Sequence, residues 1–83
     1  MEGHSVISNE VLARYARDAA AEVTTVRAAR THGAEVEVHV VVDYGRNIPE
    51  VAAEVQRRVA EYLHRMTDAR PAAVNVVVDD VRR

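Results

Sequence analysis

Between residues 35 and 43 the chain reads Glu35-Val36-Glu37-Val38-His39-Val40-Val41-Val42-Asp43. Valine returns at every second position, the pattern of a strand with one face against a core and one face turned away from it. Whatever covers Val36, Val38 and Val40 must do so with small side chains. Phe, Trp and Cys are absent and Tyr occurs three times, so the core is built largely from Val and Ala. Each such group contributes at the low end of the ~1.5–3 kcal/mol for a fully buried apolar side chain. The 83 residues make a single domain, 1–83. A chain of that size buries only about 60–65% of the surface it exposes when unfolded. Without cysteine it has neither disulfides nor thiolate metal sites to compensate. Self-association is the expected support.

The neighbouring segments supply the cover. Residues Asn9 to Val23 read as a helix with Ser8 as N-cap and Ile7 and Leu12 as a hydrophobic staple. Val11, Leu12, Tyr15, Ala16, Ala19 and Val23 share its apolar face. Thr24 to Arg30 is rich in β-branched residues and is the expected hairpin partner of the alternating strand. A three-residue loop, Thr31-His32-Gly33, would place Val26 opposite Val38 and Arg27 opposite Glu37, which suits both faces. A two- or four-residue loop would set Val26 opposite His39. Tyr44-Gly45-Arg46 is a turn, and Asn47, Pro49 and Glu50 start a second helix with a capping-box pattern. Val51, Val55, Val59, Leu63 and Met66 form its buried stripe, and Glu54–Arg58 and Glu61–Arg65 are i,i+4 pairs on the wet side. Pro71 bars continuation. The last strand, Val74 to Val81, turns Val74, Val76 and Val78 inward and Asn75, Val77 and Asp79 outward.

The order helix, strand, strand, helix, strand gives an α+β domain. It is a two-layer α/β sandwich with both helices on one face of a mixed three-stranded sheet, and residues 4–7 offer a possible short extra N-terminal strand. A crossover through the second helix sets the last strand parallel to residues 35–43.

Charge and chemistry exclude several classes of function. Eleven basic residues, all Arg, stand against thirteen acidic ones for a formal charge of −2. A phosphate-backbone binder would show a basic excess. The GxxG loop of KH domains and the sheet aromatics of RRM domains are both missing. A small nucleic-acid-binding α/β domain is therefore the alternative reading and not the first. The outer sheet face gathers Glu35, Glu37, His39, Asp43 and Asp79, but alternate strand residues lie about 7 Å apart and one ion would hardly touch three of them. Arg27 and Arg30 are the expected partners of these carboxylates. The four histidines have no ligand spacing, and Ser5 and Ser8 lie outside any nucleophile motif. No catalytic residue, metal or cofactor is expected. The amino terminus has no basic region followed by an apolar stretch, and no apolar run approaches the ~20 residues of a membrane span. The expectation is a cytoplasmic protein with no direct membrane insertion.

The motif Tyr44-Gly45-Arg46-Asn47-Ile48-Pro49-Glu50-Val51-Ala52, followed by Val55-Gln56 and Val59, resembles the bacterial alkaline shock protein family. The resemblance continues through Met66-Thr67 and Val74-Asn75-Val76 with Val78, and reaches back to Gly3, Ile7, Glu10-Val11 and Ala19 to Val23. The chain departs from the family pattern by lacking a long glycine-containing insertion before the alternating strand. It also has Thr25 and Asp68 where the family has glycine. The resemblance implies a non-enzymatic envelope stress response protein that self-assembles. It further implies attachment to the membrane through a small membrane-anchored partner. Tyr44, Gly45, Asn47, Pro49 and Glu50 read as turn and helix-start residues. Val41 and Val77 on the open sheet face, with Gln56 and Asn75, are the candidates for partner or self-association contacts.

Overall fold

A computed structural model describes residues 8–83. The expected strand at residues 4–7 and the staple through Ile7 lie outside the described residues. The elements are α1 (Asn9–Ala21), β1 (Thr25–His32), β2 (Glu35–Asp43), α2 (Ile48–Thr67) and β3 (Ala73–Arg82). The sheet order is β1-β2-β3, with β1 antiparallel and β3 parallel to the central β2. This is the expected α+β arrangement, a three-stranded mixed sheet with two helices.

Both helices begin where the sequence caps them. Ser8 accepts from the Val11 amide at 3.2 Å and Asn47 from the Glu50 amide at 3.0 Å, each satisfying an orphan donor of the first turn. Pro49 sits in the first turn of α2, where its missing amide costs nothing. α1 ends two residues earlier than its apolar pattern, with Glu22 as C-cap. Val23 packs against the core from the following turn. α2 ends at Asp68, which takes the left-handed conformation at φ 61 and donates its amide to the His64 carbonyl at 2.9 Å. Glycine takes that backbone conformation without strain, which suits the glycine of the pattern this segment resembles. Asp68→Gly is therefore expected to raise stability by about 1 kcal/mol, read as a higher urea midpoint at unchanged slope.

The core consists of Ala16, Ala19 and Ala20 from α1, Val36, Val38, Val40 and Val42 from β2, and Val51, Val55, Val59 and Leu63 from α2. Val40 and Val42 continue the inner face of β2 just as Val36 and Val38 do. Met66 lies in line with the α2 stripe yet is 48% exposed. Leu63, one turn earlier, already lies beside Thr31, Gly33 and Glu35 at the hairpin tip, so the turn carrying Met66 has run past the end of the sheet. Tyr15 and Tyr62 meet edge to face between the helices, with ring centroids 5.7 Å apart.

The hairpin register differs from the expected one. The loop is the two residues Gly33-Ala34, so His32 pairs with Glu35 and Arg30, not Arg27, faces Glu37. Gly33 takes φ 61 at the first loop position, as a primed two-residue turn requires. A register slip between Val26 and Ala28 then shifts the phase, and Val26 pairs with Val40, neither with Val38 nor with His39. Both Val26 and Ala29 reach the inner face because Arg27 and Ala28 form a bulge between them. A second slip lies across β2: Val40 pairs with Val78 but Val41 with Asp80. Asp79 is the extra residue there, so Asp79 and Asp80 both sit on the outer face.

Candidate interaction surface

Among the described residues no helix covers the outer face of the sheet, and its side chains have organised one another. At its centre His39 stands between two carboxylates. Its Nδ1 lies 2.9 Å from Asp79 Oδ1 and its Nε2 is hydrogen-bonded to Glu37 Oε2. Asp79 raises the His39 pKa above its ordinary value, with Glu37 the next cause, and His39 in turn holds the Glu37 carboxyl below its usual range. His32 approaches the other Glu37 oxygen at 3.5 Å. The expected partners of these carboxylates were Arg27 and Arg30; His39 takes that place for Glu37 and Asp79.

Arg27 and Arg82 do something else. Arg27 on β1 reaches Asp80 on β3 at 3.8 Å, and Arg82 on β3 donates to Thr25 Oγ1 on β1 at 2.8 Å and pairs with Asp43 at 3.5 Å. Thr25, Val41 and Asp80 are neighbours across the three strands, so both arginines cross the central strand beside Val41. Their aliphatic stems roof it. Val41 is only 5% exposed as a result, although it belongs to the face without helices. The naked apolar surface expected at Val41 is thus closed, and Val77, in register with His39 and 38% exposed, is the apolar side chain that this face offers.

The two amide side chains of interest hold strands. Gln56 Nε2 donates to the Val74 carbonyl at 3.0 Å, tying α2 to β3. Asn75 Nδ2 donates to Glu35 Oε1 at 3.1 Å, across the parallel pair on the outer face. Gln56 thus occupies one carbonyl of β3, which among the described residues is one edge of the sheet, β1 being the other. The turn residues gather at the opposite end from the hairpin. The Tyr44 amide donates to the Arg82 carbonyl at 2.7 Å, its ring is 65% exposed beneath the Arg83 guanidinium, and Gly45 takes φ 94.

On the helix side two arginines of α2 are paired. Arg57 binds Glu54 and Glu61, and Arg58 binds Glu54 and, at 2.8 Å, Glu22 of the α1 cap. Glu61 thus pairs back to Arg57 and not forward to Arg65, which lies over the Tyr62 ring. Arg57 and Arg58 are thus matched by carboxylates on the same face, which reduces what this pair offers a phosphate backbone.

His32 is not a neighbour of Glu37 in the expected register, which places it in the hairpin loop and sets Glu37 opposite Arg27, three residues from its actual partner Arg30. The bulges did leave a signal: two outward residues separate Val26 from Ala29, and Asp79-Asp80 are adjacent acids in an otherwise alternating strand. Among the described residues no group of three His, Asp or Glu is arranged to hold a metal ion, and no helix is long and apolar enough to cross a membrane. No curated protein and no solved structure matches the chain significantly. The profile of the alkaline shock protein 23 family, described by a cell envelope-related function, matches residues 26–83, from the second residue of β1 to the end of the chain. The α1 part of the resemblance lies outside that match. With both sheet edges, the crossover helix and the Tyr44–Glu50 turn inside it, the chain belongs to the alkaline shock protein 23 family, which has a cell envelope-related function.

Proposed function

We propose that this chain is a non-enzymatic assembly module of the envelope stress response. In this reading it binds copies of itself and a small membrane-anchored protein on the cytoplasmic side of the envelope. The observation that carries the reading is the family match across residues 26–83, which attaches an envelope role to a domain whose sheet has one face that no described helix covers. The small Val and Ala core supports it, since burying more apolar surface against a second copy would stabilise such a domain. Val77, exposed beside the His39 cluster, is the apolar contact on that face.

A pull-down from the native host, treated with nuclease and run with and without detergent, tests the partner. Recovery of a small transmembrane protein together with further copies of the bait supports the module. Recovery of ribosomal or nucleoid proteins that vanishes with nuclease replaces it with a nucleic-acid reading. The contact is tested by Val77→Arg. This surface change is expected to leave stability within about 0.5 kcal/mol of the parent and to shift sedimentation toward the monomer. An unchanged sedimentation profile moves the interface off this face.

A further inference from the structure

The His39 contacts contain more than an ion pair. A neutral imidazole has one N–H to donate, whereas both of its ring nitrogens here face carboxylate oxygens, which accept only. Both contacts exist together only when the ring carries two protons. Glu37 is two residues away on β2 itself, whereas Asp79 is the extra residue at the β3 bulge. We infer that Glu37, His39 and Asp79 form a proton-operated clasp that fastens the bulged end of the edge strand β3 to the central strand.

Removing one proton leaves the ring able to hold one carboxylate, and its bare nitrogen repels the other. The remaining groups on this face do not replace the lost charge on both sides. From β1, Arg30 stands opposite Glu37 and His32 approaches its other oxygen, so Glu37 has substitutes. On β3, Asp79 has the acidic Asp80 as its neighbour, and Arg27 already reaches for Asp80. β2 adds Glu35, which is engaged by Asn75, and Asp43, which is paired with Arg82. The helices lie on the opposite face.

The pH window follows. His39 has a folded value above its ordinary 6.5, so its contribution is complete below about pH 6.5 and is lost as pH rises through the raised value. Glu37 has a folded value below its ordinary 4.5, so its contribution is complete above about pH 4.5 and is lost as pH falls through the lowered value. The clasp is complete between the two; on the alkaline side the ring keeps one N–H and one carboxylate, so the hold on β3 loses its charge and weakens.

The test is an NMR titration of the His39 ring combined with amide exchange, expressed as protection factors so that the intrinsic pH dependence of exchange is removed. In the parent protein His39 is expected to titrate above the value of a free histidine, and Asp79→Asn and Glu37→Gln are each expected to lower the midpoint. Protection of the amides at the bulged end of β3 that are turned toward β2 should fall several-fold across that same midpoint and become indifferent to pH in His39→Gln. A His39 midpoint at the ordinary value overturns the clasp. So does a raised midpoint with no change in β3 protection, which would reduce the cluster to a surface ion pair. Both readouts are taken on the isolated chain, so they do not depend on whether the assembly reading holds.

Discussion

Leu63→Ala is expected to cost about 2–5 kcal/mol, a large share of the stability a domain of this size has. Leu63 is the largest of the fully buried side chains and is 1% exposed. Much of what surrounds it in the core is valine, whose branched side chain has few rotamers and does not swing into a gap. The void therefore persists, and the cost belongs in the upper part of the range. At roughly 0.05–0.15 kcal/mol per residue, the whole domain has only about 4–12 kcal/mol to lose. Urea unfolding followed by circular dichroism would show a lower midpoint at unchanged slope. A loss no larger than about 1 kcal/mol would mean that the core repacks more freely than its valines suggest.

The opposite substitution tests the same core from the other side. Ala16→Leu is expected to destabilise by about 1–3 kcal/mol, even though leucine is the better-buried side chain. Ala16 and Ala20 are both 0% exposed, and with Ala19 they form the surface on which α1 meets the rest of the molecule. Three methyl groups at that contact bring the helix close; an isobutyl group pushes it off the sheet or out of its preferred rotamer. On a domain of this size each kcal/mol lowers Tm by about 4–8 °C. A rise in Tm would instead reveal a void beneath α1. Surface positions on the same helix, such as Arg17→Leu, should change little by comparison.

Period and capping made most of the architecture readable. The valines of β2, the i,i+4 stripe of α2, and Ser8 and Asn47 at the helix starts each follow from a local rule that the folded chain obeys. The registers did not follow. The two bulges show only as a break in alternation, at Arg27-Ala28 and at Asp79-Asp80, which does not say how far the pairing shifts, and Arg27 suits the outer face equally well opposite Glu37 or stretched toward Asp80. Loop length was equally ambiguous, since Gly33 serves a two-residue turn and a three-residue turn alike. The outer face was readable as a list of residues and not as a set of contacts. That His39 joins Glu37 to Asp79 depends on β3 lying beside β2, a pairing between positions 40 residues apart in sequence. The closure of Val41 depends on two long side chains crossing from opposite strands, which no pattern along one strand can report.

The central place of β2 has a consequence for how the chain comes off the ribosome. Its hairpin with β1 is local and forms within microseconds once both strands have emerged. Its other neighbour, β3, is made later, separated from it by the whole of α2. Until residues 73–82 have been synthesised and released, β2 presents an unpaired, valine-rich border to the crowded interior of the cell. At about 5–20 residues per second that interval lasts a few seconds. Translation pausing within the α2 codons lengthens it, and truncation before β3 makes it permanent, so chains ending near Pro71 should be recovered as aggregates or with chaperones.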